Sequence, residues 1–192
     1  TNLVIEAADV SQSITAGNFG TGATSITATG PVQGGIFAEN YKQATDITIS
    51  VAEVSIGIGT GNFGTGATSI TATGPVHGGI LARNGEQATD ITINATDVSG
   101  GTVGIFGANE GTGATSITAI AVVEGSFAGI AAYNAATATD LTINAYDVSG
   151  DAYGIYSANM SAGATTIKTT GTVTGPSAIV ASGNTIDLTN NG

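Results

Sequence analysis

The sequence predicts an all-β chain folded as a right-handed parallel β-helix of about eight coils, each 22 to 25 residues long. Three observations predict it. Landmark residues return at a fixed interval. The stretches between them alternate apolar and polar with period 2. No window holds the i, i+3, i+4, i+7 apolar stripe of a helix, because Gly interrupts every candidate.

The interval is clearest in the asparagines. Asn18, Asn40, Asn62, Asn84, Asn109, Asn134 and Asn159 follow one another at steps of 22, 22, 22, 25, 25 and 25, and Asn184 lies 25 further on in poorer surroundings. Longer blocks repeat too: Gly17–Ile36 and Gly61–Ile80 differ only at Gln33 and His77 and are offset by 44 residues. A chain that stacks like residues of successive coils needs such a period, whereas an antiparallel sandwich does not.

Three short strands are expected per coil. In the first, Ile26 and Ala28 point one way and Ser25, Thr27 and Thr29 the other; Ile47 with Ile49 and Ile91 with Ile93 repeat this. A short valine segment follows, with Val32, Val54, Val76, Val98 and Val148. The third carries Ile36, Ala38 and Asn40 on one face, matched by Ile80, Ala82 and Asn84. A column of inward asparagines is expected to bond amide to amide up the stack and to turn backbone groups. The recurring Ser/Asp-Ile-Thr triplet alternates Ser25, Asp46, Ser69, Asp90, Ser116 and Asp140, so the repeating unit reads as a pair of coils. Residues 1–192 read as one solenoid domain, an excised piece of a longer protein or a mature chain.

Composition narrows the function. The 192 residues carry a net charge of −11 with three cations, Lys42, Arg83 and Lys168. Phosphate neutralisation needs clustered Lys and Arg, so nucleic acid and anionic lipid are poor partners. No cysteine is present, which removes disulfides and zinc–thiolate sites, and no run of 18 apolar residues offers a transmembrane helix. No metal site and no cofactor is expected. His77 has no patterned Cys, His or carboxylate around it. Gly59-Thr60-Gly61-Asn62-Phe63-Gly64 matches a dinucleotide fingerprint with no helix to follow. Gly17–Thr24 has phosphate-loop spacing with Ala23 where Lys is required. Asn94-Ala95-Thr96 and Asn159-Met160-Ser161 have the glycosylation pattern, but Asn159 belongs to the inward column. Catalysis is not expected: the single Arg and the two Lys fall in different coils, the single His has no carboxylate patterned around it, and the column Asp46, Asp90, Asp140 is explained by repetition.

The motifs Gly35-Ile36-Phe37-Ala38-Glu39-Asn40, Gly104-Ile105-Phe106-Gly107-Ala108-Asn109 and Gly154-Ile155-Tyr156-Ser157-Ala158-Asn159 recur with Gly-Ala-Thr at 22–24, 66–68, 113–115 and 163–165. In these the chain resembles secreted autotransporter passenger domains, whose low-charge, cysteine-free repeats have the same pattern over nearly the whole length. The resemblance implies a non-enzymatic passenger segment, exported to the Gram-negative cell surface through a C-terminal barrel. Such a segment is a stalk or adhesin with a host-surface protein, a glycan or its own copies as partner.

The outward residues are the expected contact face. One column is taken as Thr27, Thr48, Thr71, Thr92, Thr118 and Thr142, a flat polar face suited to solvent, to self-association or, in a ligand-binding solenoid, to ice or carbohydrate. Alternating Asp counts against ice. A second column is Phe37, Leu81, Phe106 and Tyr156, broken by Thr15, Gly59 and Ala131, with Phe19, Tyr41 and Phe63 following the asparagines. Exposed aromatics on so aromatic-poor a chain are candidates for sugar or partner contact.

Overall fold

The computed structural model describes all residues, Thr1–Gly192, and contains strands and turns but no helix. The odd strands β1 (Leu3–Ala7), β3 (Thr24–Val32), β5 (Ile47–Val54), β7 (Thr68–Val76), β9 (Ile91–Val98), β11 (Thr115–Gly125), β13 (Leu141–Gly150) and β15 (Ala164–Thr169) stack in chain order. The short β16 (Val173–Thr174) lies beside β13, and β18 (Thr185–Asn190) closes this sheet. The second sheet stacks β2 (Ile14–Asn18), β4 (Gly35–Asn40), β6 (Gly57–Asn62), β8 (Ile80–Asn84), β10 (Val103–Asn109), β12 (Ala128–Asn134), β14 (Tyr153–Asn159) and β17 (Ser177–Ser182). Each strand pairs in parallel with strands one coil away in its own sheet, so the molecule is a parallel β-solenoid of about eight coils.

Two of the three expected strands are one bent strand. β3 and β7 carry one extra residue at the bend, seen as register shifts between Ala28 and Pro31 and between Ala72 and Pro75, and Val32 and Val76 still stand in register with Val54 and Val98 in the core. The bulge recurs only in alternate coils. It cancels another alternation, in the turn after each asparagine. From Asn18 the chain takes six residues to the first inward strand residue, Thr24; from Asn40 it takes seven to the matching Ile47. Thr24 to Val32 then takes eight residues and Ile47 to Val54 seven, so a short turn with a bulge equals a long turn without one and each coil keeps the same length from asparagine to valine.

The core is a set of columns. Ile26, Ile49, Ile70, Ile93, Ile117, Ile143 and Ile167 stand in register and are 0–1% exposed. Ile14, Ile36, Ile58, Ile80, Ile105, Ile130 and Ile155 form a second column from the other sheet. β-Branched side chains suit this role, because they lose little rotamer freedom in a strand and interlock along the stack. Each buried Ile contributes about 2 kcal/mol by removing its side chain from water.

The register corrects one expectation. Ser25-Ile26-Thr27 does not stack on Asp46-Ile47-Thr48; Ser25 stands on Thr48, Ile26 on Ile49 and Thr27 on Ser50. The triplets are slipped by two residues. A slip of two leaves every side chain on its own face, so alternation alone does not detect it. Asp46 instead lies one residue before Ile47, whose partners are Thr24 and Thr68. Thr24, Thr68, Thr115 and Thr165 therefore point inward, fully buried, and alternate with Ile47, Ile91 and Leu141.

Gly66, Gly113 and Gly163, from the Gly-Ala-Thr motif, each lie against the preceding coil. A Cβ at Gly113 would meet the Thr89 carbonyl carbon at 2.6 Å and the Asp90 nitrogen at 2.7 Å, so only glycine fits there. At one corner the chain turns through Gly100 and Gly101, with φ of +92° and +73°, a region that side-chain-bearing residues rarely enter.

Candidate functional site

The asparagine column is real and internal. Asn18, Asn40, Asn62, Asn84, Asn109, Asn134 and Asn159 stand in register and are at most 5% exposed. Their amides do not bond one another, contrary to the amide-to-amide ladder that the sequence predicts; alternate asparagines accept a threonine hydroxyl, and the amides donate to turn carbonyls, as the sequence predicts. Thr24, Thr68 and Thr115 donate through Oγ1 to the Oδ1 of Asn40, Asn84 and Asn134 at 2.6–2.7 Å. In the next coil the link is a carbonyl: Asn40 and Asn62 both donate to the Thr45 oxygen, Asn84 and Asn109 to Thr89, and Asn134 and Asn159 to Thr139. The amide oxygens of Asn18, Asn62, Asn109 and Asn159 instead accept the backbone N–H two residues on. Asn184 is not part of the column. The pairing of Ala158 with Ser182 puts Gly183 opposite Asn159, and Thr165 Oγ1 is left buried with no partner. All donors and acceptors in this column are used within the fold or lie out of reach of solvent, so it is architecture.

The aspartate column is architecture as well. Asp46, Asp90 and Asp140 accept the backbone N–H of Ala67, Ala114 and Ala164 in the following coil at 2.7–2.8 Å. Asn2 does the same for Ala23 at 3.1 Å. Gly-Ala-Thr is thus a three-part device: glycine admits the carboxylate, alanine donates to it, and threonine donates inward to asparagine. The sequence signal for it was present, since an Asp recurs one coil before three of the four triplets. No three His, Cys, Asp or Glu side chains gather in one place. His77 is exposed and meets Ser99 Oγ at 3.3 Å.

The polar outer face of the first sheet carries two columns, not one of threonine. Ser25, Thr48, Ser69, Thr92, Ser116 and Thr142 form the first. Thr27, Ser50, Thr71, Asn94, Thr118 and Asn144 form the second. Thr27, Thr48, Thr71, Thr92, Thr118 and Thr142 share this face but zigzag between the columns.

The outer face of the second sheet is different. The register Thr15, Phe37, Gly59, Leu81, Phe106, Ala131, Tyr156 confirms the expected column and its breaks. The break at Gly59 is part of a larger feature. β6 presents only Gly59 and Gly61 on this face, Gly57 at its start being buried, so one whole strand has no outer side chains. Phe37 and Glu39 on β4 rise on one side, Leu81 and Arg83 on β8 on the other. The result is a groove of about 930 Å³ that reaches Phe63 at one end and Phe106 on β10.

Two rings lie down on its glycines. A Cβ at Gly59 would sit 3.1 Å from Phe37, and one at Gly61 3.1 Å from Phe63. Each ring fills the space a side chain would take and keeps its other face in water, at 48% and 45% exposure. Phe19 and Tyr41 stack at 4.1 Å nearby. Tyr41 donates its hydroxyl to Glu39 at 2.8 Å, and that bond raises its pKa above the ordinary 10.0. Arg83 lies over the Phe106 ring at 5.5 Å. The sequence reading found the aromatics and missed Glu39, Arg83 and the glycine floor. The signal was Gly-x-Gly at 59–61, positions held by Phe37 and Glu39 in one flanking coil and by Leu81 and Arg83 in the other. No protein-family model, curated protein or solved structure matches the chain.

Proposed function

We propose that this chain is a non-enzymatic rod segment of a secreted, cell-surface protein, a stalk or adhesin that works through its outer faces. The single observation that supports it most is where the polar groups go. The recurring Asn, Thr and Asp side chains are spent on holding one coil to the next, and the surface features left are extended along the rod. Its resemblance to autotransporter passengers in low charge, lack of cysteine and repeat pattern supports the same reading. Host-surface protein, glycan and the chain's own copies are its partner classes.

The test is made in the native host. Protease added to intact cells should remove the segment. Purified chain incubated with plant and bacterial polysaccharides should release no new reducing ends. Protection on intact cells, or turnover of any polysaccharide, would overturn the proposal. A second reading, a ligand-binding solenoid, is favoured by one observation, the groove over β6.

A further inference from the structure

We infer that the glycine-floored groove over β6 is a binding site for a neutral glycan chain, which stacks on Phe37 and Phe63 and hydrogen-bonds to Glu39 and Arg83. This rests on the non-enzymatic surface reading and names the ligand class of its binding face.

The floor sets the first condition. β6 is paired on both sides, to β4 and to β8, so its N–H and C=O groups are already engaged. A peptide strand has no free edge to join there, and augmentation of the sheet is excluded. The occupant must bind through ring faces and side-chain polar groups. The walls set the second. Strands β4 and β8 lie two strand spacings apart, roughly 9.6 Å. With no Cβ between them, that width lets the Phe37 and Phe63 rings lie flat on the glycines and leaves their outer faces as the surface on which a sugar ring rests. Two exposed phenyl faces, held flat by the glycines beneath them, offer stacking to the C–H face of a pyranose.

Charge sets the third. Glu39 on β4 and Arg83 on β8 stand on opposite walls, one of each sign, both beside the Gly61 position. Together they supply acceptors and donors for hydroxyl groups. A polyanionic sugar would meet Glu39 and a chain of net charge −11 with one cation at the site. A polycation would meet Arg83. An uncharged polyol satisfies both walls.

The experiment titrates the full chain with cellohexaose, maltohexaose and chitohexaose, reading amide shifts by NMR, with hexagalacturonate as the anionic comparison. At least one neutral hexasaccharide should saturate with a Kd below about 1 mM, and hexagalacturonate should not. Phe37→Ala and Phe63→Ala should each weaken binding at least about tenfold. Gly59→Val, which fills the floor and removes no aromatic, should abolish it. Tyr146→Ala, an equally exposed aromatic outside the groove, should change nothing. Both Phe variants are surface truncations, so their circular dichroism should match the parent. The inference is overturned if no neutral hexasaccharide saturates, if hexagalacturonate binds as well, or if Tyr146→Ala weakens binding as much as Phe37→Ala. It is also overturned if the rods self-associate through Phe37 and no sugar binds. Mass spectrometry of the sugar after titration separates the two readings: shortened chains would refute the non-enzymatic proposal, while absent binding would refute the site.

Discussion

Thr68 and Thr165 occupy the same inward position in different coils, and their hydroxyls have opposite fates. Thr68 donates to Asn84 at 2.7 Å; Thr165 finds Gly183 where an asparagine would stand and donates to nothing. A buried hydroxyl without a partner costs free energy, and deleting it for an isosteric methyl recovers that cost. Thr165→Val should therefore stabilise the fold by about 1 kcal/mol, and Thr68→Val should destabilise it by about 1–2 kcal/mol by orphaning the Asn84 oxygen. Urea denaturation of the two variants checks the opposite signs. Asn84→Ala should cost more, about 3 kcal/mol, because the Thr68 hydroxyl and the Thr89 and Asp90 carbonyls all lose a partner. Tyr41 gives a pH signature. Its folded pKa is raised by the bond to Glu39, so whatever stability the bond lends is present below pH 10 and fades as pH climbs through the raised value. An NMR titration of Tyr41 should move its midpoint back toward 10.0 in Glu39→Gln.

Strands and turns were legible to different degrees. The inward sets Ile26/Ala28 and Ile36/Ala38/Asn40 followed from alternation alone, because burial on one face and water on the other impose period 2. Register was not legible to the same precision. Two triplets that look alike, Ser25-Ile26-Thr27 and Asp46-Ile47-Thr48, sit two positions apart, and the turn that shifts them is undone by a bulge further along the strand. What the alternation of Ser and Asp did convey was the pairing of coils. The groove escaped notice because its floor is made of residues without side chains, and a pattern search looks for what is present. The turn device itself can be tested. Asp90→Ala should cost about 1 kcal/mol by removing the acceptor for the Ala114 N–H, whereas Asp90→Asn, which keeps an acceptor, should cost less than half of that. Thermal denaturation of both variants reads the difference.

At the scale of the rod, each coil touches only its neighbours, so the molecule behaves as a one-dimensional stack. Parity is the added constraint. A coil with a Thr hydroxyl must be followed by one whose asparagine receives it, and a coil with an Asp by one whose Ala N–H meets it. Deleting residues 41–84 removes one such pair and joins Asn40 to Gly85, where the next turn is of the type Asn40 already serves. That chain should fold with cooperative unfolding and strand content in proportion to its length. Deleting residues 41–62 joins Asn40 to Phe63 and places two coils of the same kind in sequence. It should lose cooperativity, as read by circular dichroism on heating.

The near-identity of Gly17–Ile36 and Gly61–Ile80 has a hereditary counterpart. Stretches so alike invite misaligned crossing-over in the gene, and their spacing means that each exchange adds or removes a matched couple, never a single member. Length variants of this rod in a population should consequently differ by even numbers of layers, since the products of an odd exchange would not survive folding.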